Sequence, residues 1–142
     1  MSNKNIKYFF DDVNGEAACT IRYKNILFTG EAKCHPDDDD FMSDKTGCFI
    51  AEVRANVKVL KYRRNNELVP ILRAFEHVQS NMDTSTKYAP KSYEAKMIHR
   101  QIKALKRQIA EVDAAIADEE AYLKKYINDK EKLYQRLRAK NQ

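Results

Sequence analysis

Apolar and polar residues alternate through the N-terminal part of the chain, which is the pattern of half-buried β-strands. An apolar and aromatic run covers Ile6 to Val13, and alternating runs follow at Ala17 to Tyr23 and Ile26 to Cys34. Asn14-Gly15 separates the first two runs and accepts positive φ at both centres of a type I′ turn. Lys24-Asn25 predicts a second tight turn. The pattern therefore predicts a three-stranded antiparallel meander whose apolar face needs helices or another subunit.

The apolar period then changes to steps of three and four, which is typical of a helix. Ser43 is the predicted N-cap, and the stripe consists of Ile50, Val53, Val57 and Leu60. Gly47 and Ala51 are small and lie four residues apart, which predicts close packing at that point. Asn65-Asn66 predicts the end of this helix. A second helix is expected after it, with a buried side formed by Leu68, Leu72, Phe75 and Val78.

The last third of the chain has neither Gly nor Pro after Ser92, its predicted N-cap. A helix from 93 to 138 would be about 69 Å long. Its apolar residues keep a heptad register, which is typical of an oligomerisation seam: Ile98, Ile102, Leu105, Ile109, Val112, Ile116, Leu123, Tyr126, Leu133 and Leu137. We expect this seam to pair with another copy or a partner protein. A hairpin that turns within 113–118 is the alternative.

These patterns predict an α+β fold, with a small N-terminal antiparallel sheet packed on helices and a long coiled-coil-like helix at the C-terminus. Residues 1–80 form the predicted core, 81–91 a linker loop, and 92–142 a helical oligomerisation arm. The length of 142 residues suits one domain with an arm. No apolar run approaches the roughly 18 residues that a membrane span requires. Three cysteines and the absence of an apolar leader predict a cytoplasmic protein.

Charge is distributed unevenly along the chain. Residues 1–45 carry 6 basic and 9 acidic side chains, for a net −3, whereas residues 91–142 carry 13 and 8, for a net +5. A basic excess favours anionic partners such as nucleotides or nucleic acid, although many helical proteins have one without binding a polyanion. The acidic run Asp37 to Asp40 has either of two roles, as a solvated loop that caps the next helix or as a Mg²⁺ or Ca²⁺ site.

Motifs for catalysis and metal binding are missing from the sequence. The three glycines are scattered, so no Gly-rich phosphate loop is present, and no Cys-x-x-Cys pair exists. Cys34 and His35 are adjacent on a predicted strand, where neighbouring side chains point to opposite faces. We therefore expect no enzymatic activity and no cofactor. For the acidic run we favour the solvated loop, so we also expect no metal. Arg54 beside the apolar stripe either extends its head to solvent along the helix or clamps a phosphate.

A further signal is a resemblance carried by one stretch of the chain. It consists of Gly30-Glu31-Ala32-Lys33-Cys34-His35-Pro36-Asp37-Asp38, then Phe41, Gly47, Ile50, Ala51, Arg54 and Ala55. This stretch resembles a strand–loop–helix pattern of small proteins from phages of Gram-positive bacteria, Gly-x-Ala-x-Cys-x-Pro-x-Asp followed by Gly-x-x-Ile-Ala-x-x-Arg-Ala. With a small sheet before long helices, the chain is similar to the phage Thoeris anti-defence family, type one.

The resemblance implies a non-enzymatic sponge. Members of that family bind cyclic ADP-ribose signals, and some bind cyclic oligonucleotides, which keeps a bacterial defence effector inactive; they assemble as dimers or trimers of dimers. A pyrophosphate and a purine require cations and an aromatic platform. The expected ligand-binding residues are Arg54, Arg100, Lys103 and Arg107 for charge, and Phe41 or Tyr88 for stacking. The expected partners are another copy of the chain and an anionic cyclic nucleotide, in the cytoplasm of an infected cell and without a membrane.

Two other classes of protein fit the same sequence. A coiled-coil structural or adaptor protein would use the long helix to hold a partner, without any small ligand. A basic nucleic-acid-binding protein would use the cationic blocks on phosphates. The acidic block within 111–120 and the negative N-terminal third count against nucleic acid.

Overall fold

The computed structural model describes residues 5–33, 44–83 and 92–140. The elements in chain order are β1 (Ile6–Asp11), β2 (Glu16–Tyr23), β3 (Ile26–Lys33), α1 (Asp44–Tyr62), a π-helical segment (Arg63–Leu68), α2 (Val69–Asp83) and α3 (Tyr93–Lys140). The three strands form one antiparallel sheet in the order β1-β2-β3. The predicted α+β fold, with an N-terminal meander and a long C-terminal helix, is confirmed.

The chain divides into two compact units. Unit 1 comprises Met1–Val59 and Ile116–Gln142, and unit 2 comprises Leu60–Ala115. This division cuts through α1 and α3, whereas the sequence predicts boundaries at 80 and 92. Helix α2 extends to Asp83, into the predicted linker, and 84–91 lies outside the described residues. The predicted boundaries stay a prediction.

The sheet of unit 1 has the two faces that the alternation predicts. Tyr8 pairs with Cys19, and Cys19 pairs with Gly30, so that these three residues form one row across the inner face. Cys19 is fully buried, and Ala17 and Ala32 in the next row are almost as inaccessible. On the outer face the hydroxyl oxygens of Thr20 and Thr29 lie 3.3 Å apart, within hydrogen-bond distance.

The structure confirms the predicted tight turn at Lys24-Asn25 but not the one at Asn14-Gly15. Among the turn residues, Lys24 and Asn25 both have positive φ, as a type I′ turn requires. In the first turn only Gly15 has positive φ, and β1 already ends at Asp11. The carboxylate of Asp11 accepts hydrogen bonds from the backbone N–H of Val13 and from both the backbone and the side-chain amide of Asn14. This carboxylate holds a longer loop, so the predicted type I′ turn at Asn14-Gly15 is wrong.

Small residues let α1 lie unusually close to the sheet. A Cβ on Gly30 would stand 3.0 Å from the carbonyl carbon of Arg54, and nearer still to the Ala51 oxygen and the Ala55 nitrogen. Ala51 and Ala55 are themselves fully buried. The close packing predicted at Ala51 is confirmed, with a strand glycine as its counterpart.

The core of unit 1 combines the inner face of the sheet, α1 and the C-terminal part of α3. Its buried members are Ala17, Cys19, Ala32, Ile50, Ala51, Val53, Ala55, Val57 and Leu123. The Phe49 ring packs on Tyr126 with ring centroids 4.6 Å apart and meets Tyr122 edge-on at 6.1 Å. The predicted helical stripe is therefore buried, as Ile50, Val53 and Val57 show.

The helix that begins as α1 does not break where the sequence predicts. Tyr62 and Val69, which flank the π-helical segment, keep helical dihedrals, and the Val69 N–H donates to the carbonyl of Arg64. Asn65-Asn66 lies inside this segment, so the predicted break is wrong. Each Asn costs less than about 0.7 kcal/mol of helix propensity, which packing outweighs. The widened turn ends just before Pro70, which cannot follow a regular helical turn without strain.

Helix α3 is continuous, so the hairpin alternative is wrong. The Ser92 hydroxyl accepts a hydrogen bond from the Ala95 N–H at 3.1 Å, which confirms the predicted N-cap. Four seam residues are buried in the single chain: Ile102, Leu105, Val112 and Leu123. Ile98, Ile109, Ile116 and Tyr126 are half-buried. The seam is thus at least partly covered within one chain up to Tyr126, and beyond it Leu133 and Leu137 are exposed. Its pairing with a second chain stays a prediction.

Unit 2 is an antiparallel pair formed by α2, with its preceding π-helical segment, and the first half of α3. Arg64 contacts Asp113 at 2.5 Å and Glu76 contacts Lys106 at 3.9 Å, so positions later in α2 meet positions earlier in α3. Leu68 is buried, and Leu72 and Phe75 are half-buried, as predicted. Val78 is exposed instead, because the facing turn of α2 places Gln79 and Met82 toward α3. None of the helices in the described ranges is long and apolar enough to cross a bilayer.

Candidate functional site

A concave site lies in unit 2 between the end of α2 and the start of α3. Its volume is about 300 Å³, and it is lined by Gln79, Met82, Ala95, Lys96, Ile98, His99 and Arg100. Volumes of roughly 300–1,000 Å³ are typical of small-ligand sites, which places this one at the lower limit. Two cations and a histidine thus surround a partly apolar floor.

The cations belong to a longer row on α3. Helical geometry places four basic residues within about 60° of arc, on successive turns of the same face. They are Lys96, Arg100, Lys103 and Arg107. None of these four side chains has an ion-pair partner within residues 5–33, 44–83 and 92–140. We call this row the basic face of α3; it continues from the site along the helix.

The basic face also dominates the local charge. Residues 92–107 contain five basic side chains and one acidic one, Glu94, which gives a net +4. One of the five, Lys106, lies next to Glu76. Of the described residues, none that lines the site is acidic. The first four turns of α3 are therefore electropositive.

The predicted ligand residues do not form a single cluster. Arg100 lines the site, and Lys103 and Arg107 share its face on α3. Phe41 and Tyr88, the predicted stacking residues, lie outside the described residues, as does the acidic run Asp37 to Asp40. The predicted ligand set is thus represented in the site by Arg100 alone.

Arg54 belongs to unit 1, where its position favours a structural role. Its guanidinium donates to the carbonyl oxygen of Glu31 at 2.7 Å, and Lys58 donates to that of Thr29 at 2.5 Å. Both carbonyl groups lie on the free edge of β3. Covering such an edge with charged side chains hinders pairing with other strands. This contact supports neither of the roles predicted for Arg54, because the guanidinium binds a backbone carbonyl group of β3.

The predicted ligand set omits six of the seven lining residues, and four of the six carry polar groups or a long side chain. Lys96 and His99 come from the first turns of α3, and Gln79 and Met82 from the last turns of α2. Lys96 could have been found, because it lies four residues before Arg100 and so on the same helical face. The α2 residues carry no sequence signal, since their place depends on the pairing of the two helices.

A second cluster of ionisable groups lies between the sheet and α1 in unit 1. The Tyr8 hydroxyl donates to the carboxylate of Glu52 at 2.5 Å. This hydrogen bond, together with burial and the negative charge of Glu52, raises the pKa of Tyr8 to about 12. Burial, together with the charge of Glu52, raises the pKa of the Cys19 thiol to about 11. Both groups are held in their neutral forms, which suits a structural cluster rather than a nucleophile.

Within the described ranges, no three His, Cys, Asp or Glu side chains come together in a way that would hold a metal ion. Comparison with protein-family models, with curated proteins and with solved structures finds no match to this chain. The resemblance to the anti-defence family therefore stays a prediction, and function has to be argued from the site in unit 2.

Proposed function

We propose that this protein is a non-enzymatic binding protein that sequesters a small anionic nucleotide in the site between α2 and α3. The observation that carries the proposal is the meeting of Lys96, His99 and Arg100 around an apolar floor that includes Met82 and Ile98. A nucleotide offers the matching chemistry, because its phosphates pair with cations and its base packs on apolar surface.

The finer proposal follows the resemblance stated above. The ligand is a cyclic nucleotide immune signal, a cyclic ADP-ribose isomer or a cyclic oligonucleotide. Holding this signal inside an infected cell would block a Thoeris-type defence.

Ligand retention tests the proposal directly. The purified protein is mixed with cyclic ADP-ribose isomers and cyclic oligonucleotides, separated by size from unbound material, and denatured by heat. Mass spectrometry then identifies what is released. Recovery of an unaltered nucleotide at a stoichiometric level is the expected result. Recovery of a cleaved product would contradict the non-enzymatic part, and recovery of nothing would contradict nucleotide binding.

Two variants locate the ligand. Arg100→Ala removes a charge-assisted hydrogen bond and should weaken binding about tenfold or more, because such bonds contribute roughly 1.5–3 kcal/mol. Lys125→Ala is the matched control, since it removes an exposed cation from the same helix outside the site. If both variants bind like the parent protein, the ligand lies elsewhere.

A specific observation favours nucleic acid as a second candidate ligand. The basic face continues from the site through Lys103 to Arg107, which is more charge than one small nucleotide needs. A strand of DNA or RNA bound along it would lose affinity steeply with added salt. A gel shift at two salt concentrations distinguishes this case, because retention of a small nucleotide changes far less.

The adaptor alternative rests on the end of α3. Leu133 and Leu137 continue the heptad register and are 44% and 36% exposed. Two exposed leucines on successive turns suit a helical partner. This candidate gains support only if no nucleotide or nucleic acid binds.

A further inference from the structure

The two edges of the sheet in unit 1 differ. The β3 edge is covered, because Arg54 and Lys58 donate to the carbonyl groups of Glu31 and Thr29. The β1 edge pairs only with β2 among the described strands. It also carries exposed aromatic surface, since Tyr8 is 53% and Phe9 is 62% exposed. An open edge of this kind is a template for another strand.

The register identifies the backbone groups that the open edge offers. Thr29 and Glu31 face the free edge of β3, so Gly30 between them bonds to its partner on β2, Cys19. Bonding direction alternates along each strand, so Ala18 on β2 bonds to its own partner, Phe9. The N–H and C=O groups of Ile6, Tyr8 and Phe10 therefore point away from the sheet.

We propose that the β1 edge pairs with β1 of a second copy, antiparallel about a two-fold axis at Phe9, to form one continuous six-stranded sheet. In this register the backbone of Tyr8 in one copy forms hydrogen bonds with the backbone of Phe10 in the other. The two-fold axis makes two such pairs. Phe9 faces Phe9 as a pair without backbone hydrogen bonds. The proposal does not depend on the nucleotide site.

Charge complementarity indicates that the strand pairing with the β1 edge is β1 of a second copy. It also indicates that the two strands run antiparallel. On the outer face, Lys7 of each copy lies directly opposite Asp11 of the other, so that two opposite-charge pairs form. Hydrogen bonds from Asn14 lower the pKa of Asp11 and keep it ionised. Parallel, in-register pairing would set Lys7 against Lys7 instead. Apolar surface of Phe9 would also be buried between the copies.

Cross-linking tests the register. Residues that face each other without backbone hydrogen bonds have Cα atoms about 4.5 Å apart, within the range a disulfide spans. Phe9→Cys should therefore give a covalent dimer with a mild thiol oxidant such as diamide. Leu27→Cys is the matched control, because Leu27 is equally exposed on the outer face but lies on β3. The parent chain controls for its own cysteines.

Charge reversal tests the complementarity in solution. The parent protein should have twice the 16.6 kDa mass of one chain in light scattering. Lys7→Glu opposes like charges at both ends of the pairing and should weaken dimerisation about tenfold. Arg22→Glu makes the same change on the exposed outer face of β2 and should leave the dimer intact.

Several outcomes would overturn the proposal. One is a parent protein that stays monomeric at 100 μM, as an order-of-magnitude upper limit for a specific dimer. Others are a dimer that is insensitive to Lys7→Glu and a Phe9→Cys chain that cross-links no faster than Leu27→Cys. Far-UV circular dichroism of each variant shows that the fold is retained, because all the substituted side chains are exposed.

Discussion

Unit 1 and unit 2 are stabilised by different means. In unit 1, α1 approaches the sheet so closely that Gly30 meets helix backbone, and Ala51 and Ala55 fill the space between. In unit 2, large aliphatic side chains such as Leu68 and Leu105 fill the core, and ion pairs span its surface. Unit 1 therefore requires that position 30 has no side chain, whereas unit 2 requires large side chains in its core.

The two units also differ in what their basic side chains contact. The cations on α1, Arg54 and Lys58, are engaged with strand carbonyl groups. The cations on the basic face of α3 have no ion partner in the described parts of the chain. Similar side chains thus cover a sheet edge in one unit, whereas those on the basic face of the other have no ion partner in its described part.

The largest expected effect is that of Gly30→Ala. The added methyl group would collide with backbone atoms of Ala51, Arg54 and Ala55, which cannot rotate away. We expect a loss of at least ~3 kcal/mol of unfolding free energy. Chemical denaturation followed by circular dichroism measures it, and hydrogen exchange should show the loss in unit 1 amides.

Glu31→Ala is the control for this substitution. It changes the next residue of β3 but leaves the carbonyl group that Arg54 binds. Its effect should stay within about 0.5 kcal/mol, as for other surface positions. Equal stability of Gly30→Ala and the parent protein would mean that α1 does not lie against β3 in solution.

The corresponding change in unit 2 is Leu105→Ala. Truncating this buried leucine removes apolar contact and leaves a cavity, which should cost about 2.5 kcal/mol. Hydrogen exchange should show faster exchange in the amides of α2 and of the first half of α3. If unit 1 amides accelerate equally, the two units unfold as one cooperative body.

Leu137→Ala is the matched control, because the same substitution at an exposed seam position removes little buried surface. We expect a cost below about 0.5 kcal/mol for the isolated chain. A larger cost that grows with protein concentration would show that this end of α3 is covered by another copy.

Local sequence signals were sufficient where one element decides its own structure. The alternation of β2 gives its buried face, and Ser92 gives the start of α3. These signals were insufficient where packing against another element determines the structure. The asparagines at 65 and 66 have low helix propensity, but the helix continues through them because adjoining turns pack in unit 2.

The heptad seam shows the same limit. Its register predicts correctly which side of α3 is apolar, but not what covers that side. An intermolecular seam and an intramolecular helix pair need the same spacing, so Ile102 and Leu105 look identical in both cases. For the site, Arg100 could be found from charge alone, whereas Met82 needs the fold.

A smaller effect is expected from the hydroxyl of Tyr8. Because the folded-state pKa lies above the ordinary value of 10, this stabilisation is fully present below pH 10 and is lost as pH rises through about 12. Tyr8→Phe should cost at most about 1 kcal/mol near pH 8, since the residue is half-exposed. The difference between the two melting temperatures should vanish near pH 12.

The control for this titration is spectroscopic. Tyrosinate absorbance should include the raised pKa of Tyr8 in the parent protein, and this contribution should be missing in Tyr8→Phe. Glu52→Gln should lower the pKa of Tyr8 toward its ordinary value, because the hydrogen bond to the carboxylate is the largest cause of the shift. An unchanged titration in Glu52→Gln would contradict this contact.

The smallest effect concerns the ion pair between Arg64 and Asp113 in unit 2. Both side chains are partly exposed, so Arg64→Ala should cost only about 0.5 kcal/mol, and less in 1 M salt. Asp113→Asn and the double variant complete a mutant cycle, measured by denaturation at low and high salt. A coupling energy above the roughly 2.5 kcal/mol expected for Leu105→Ala would show that charge, rather than apolar packing, holds unit 2 together. That result would reverse the contrast between the units, because the ion pairs of unit 2 would then matter more than Leu105.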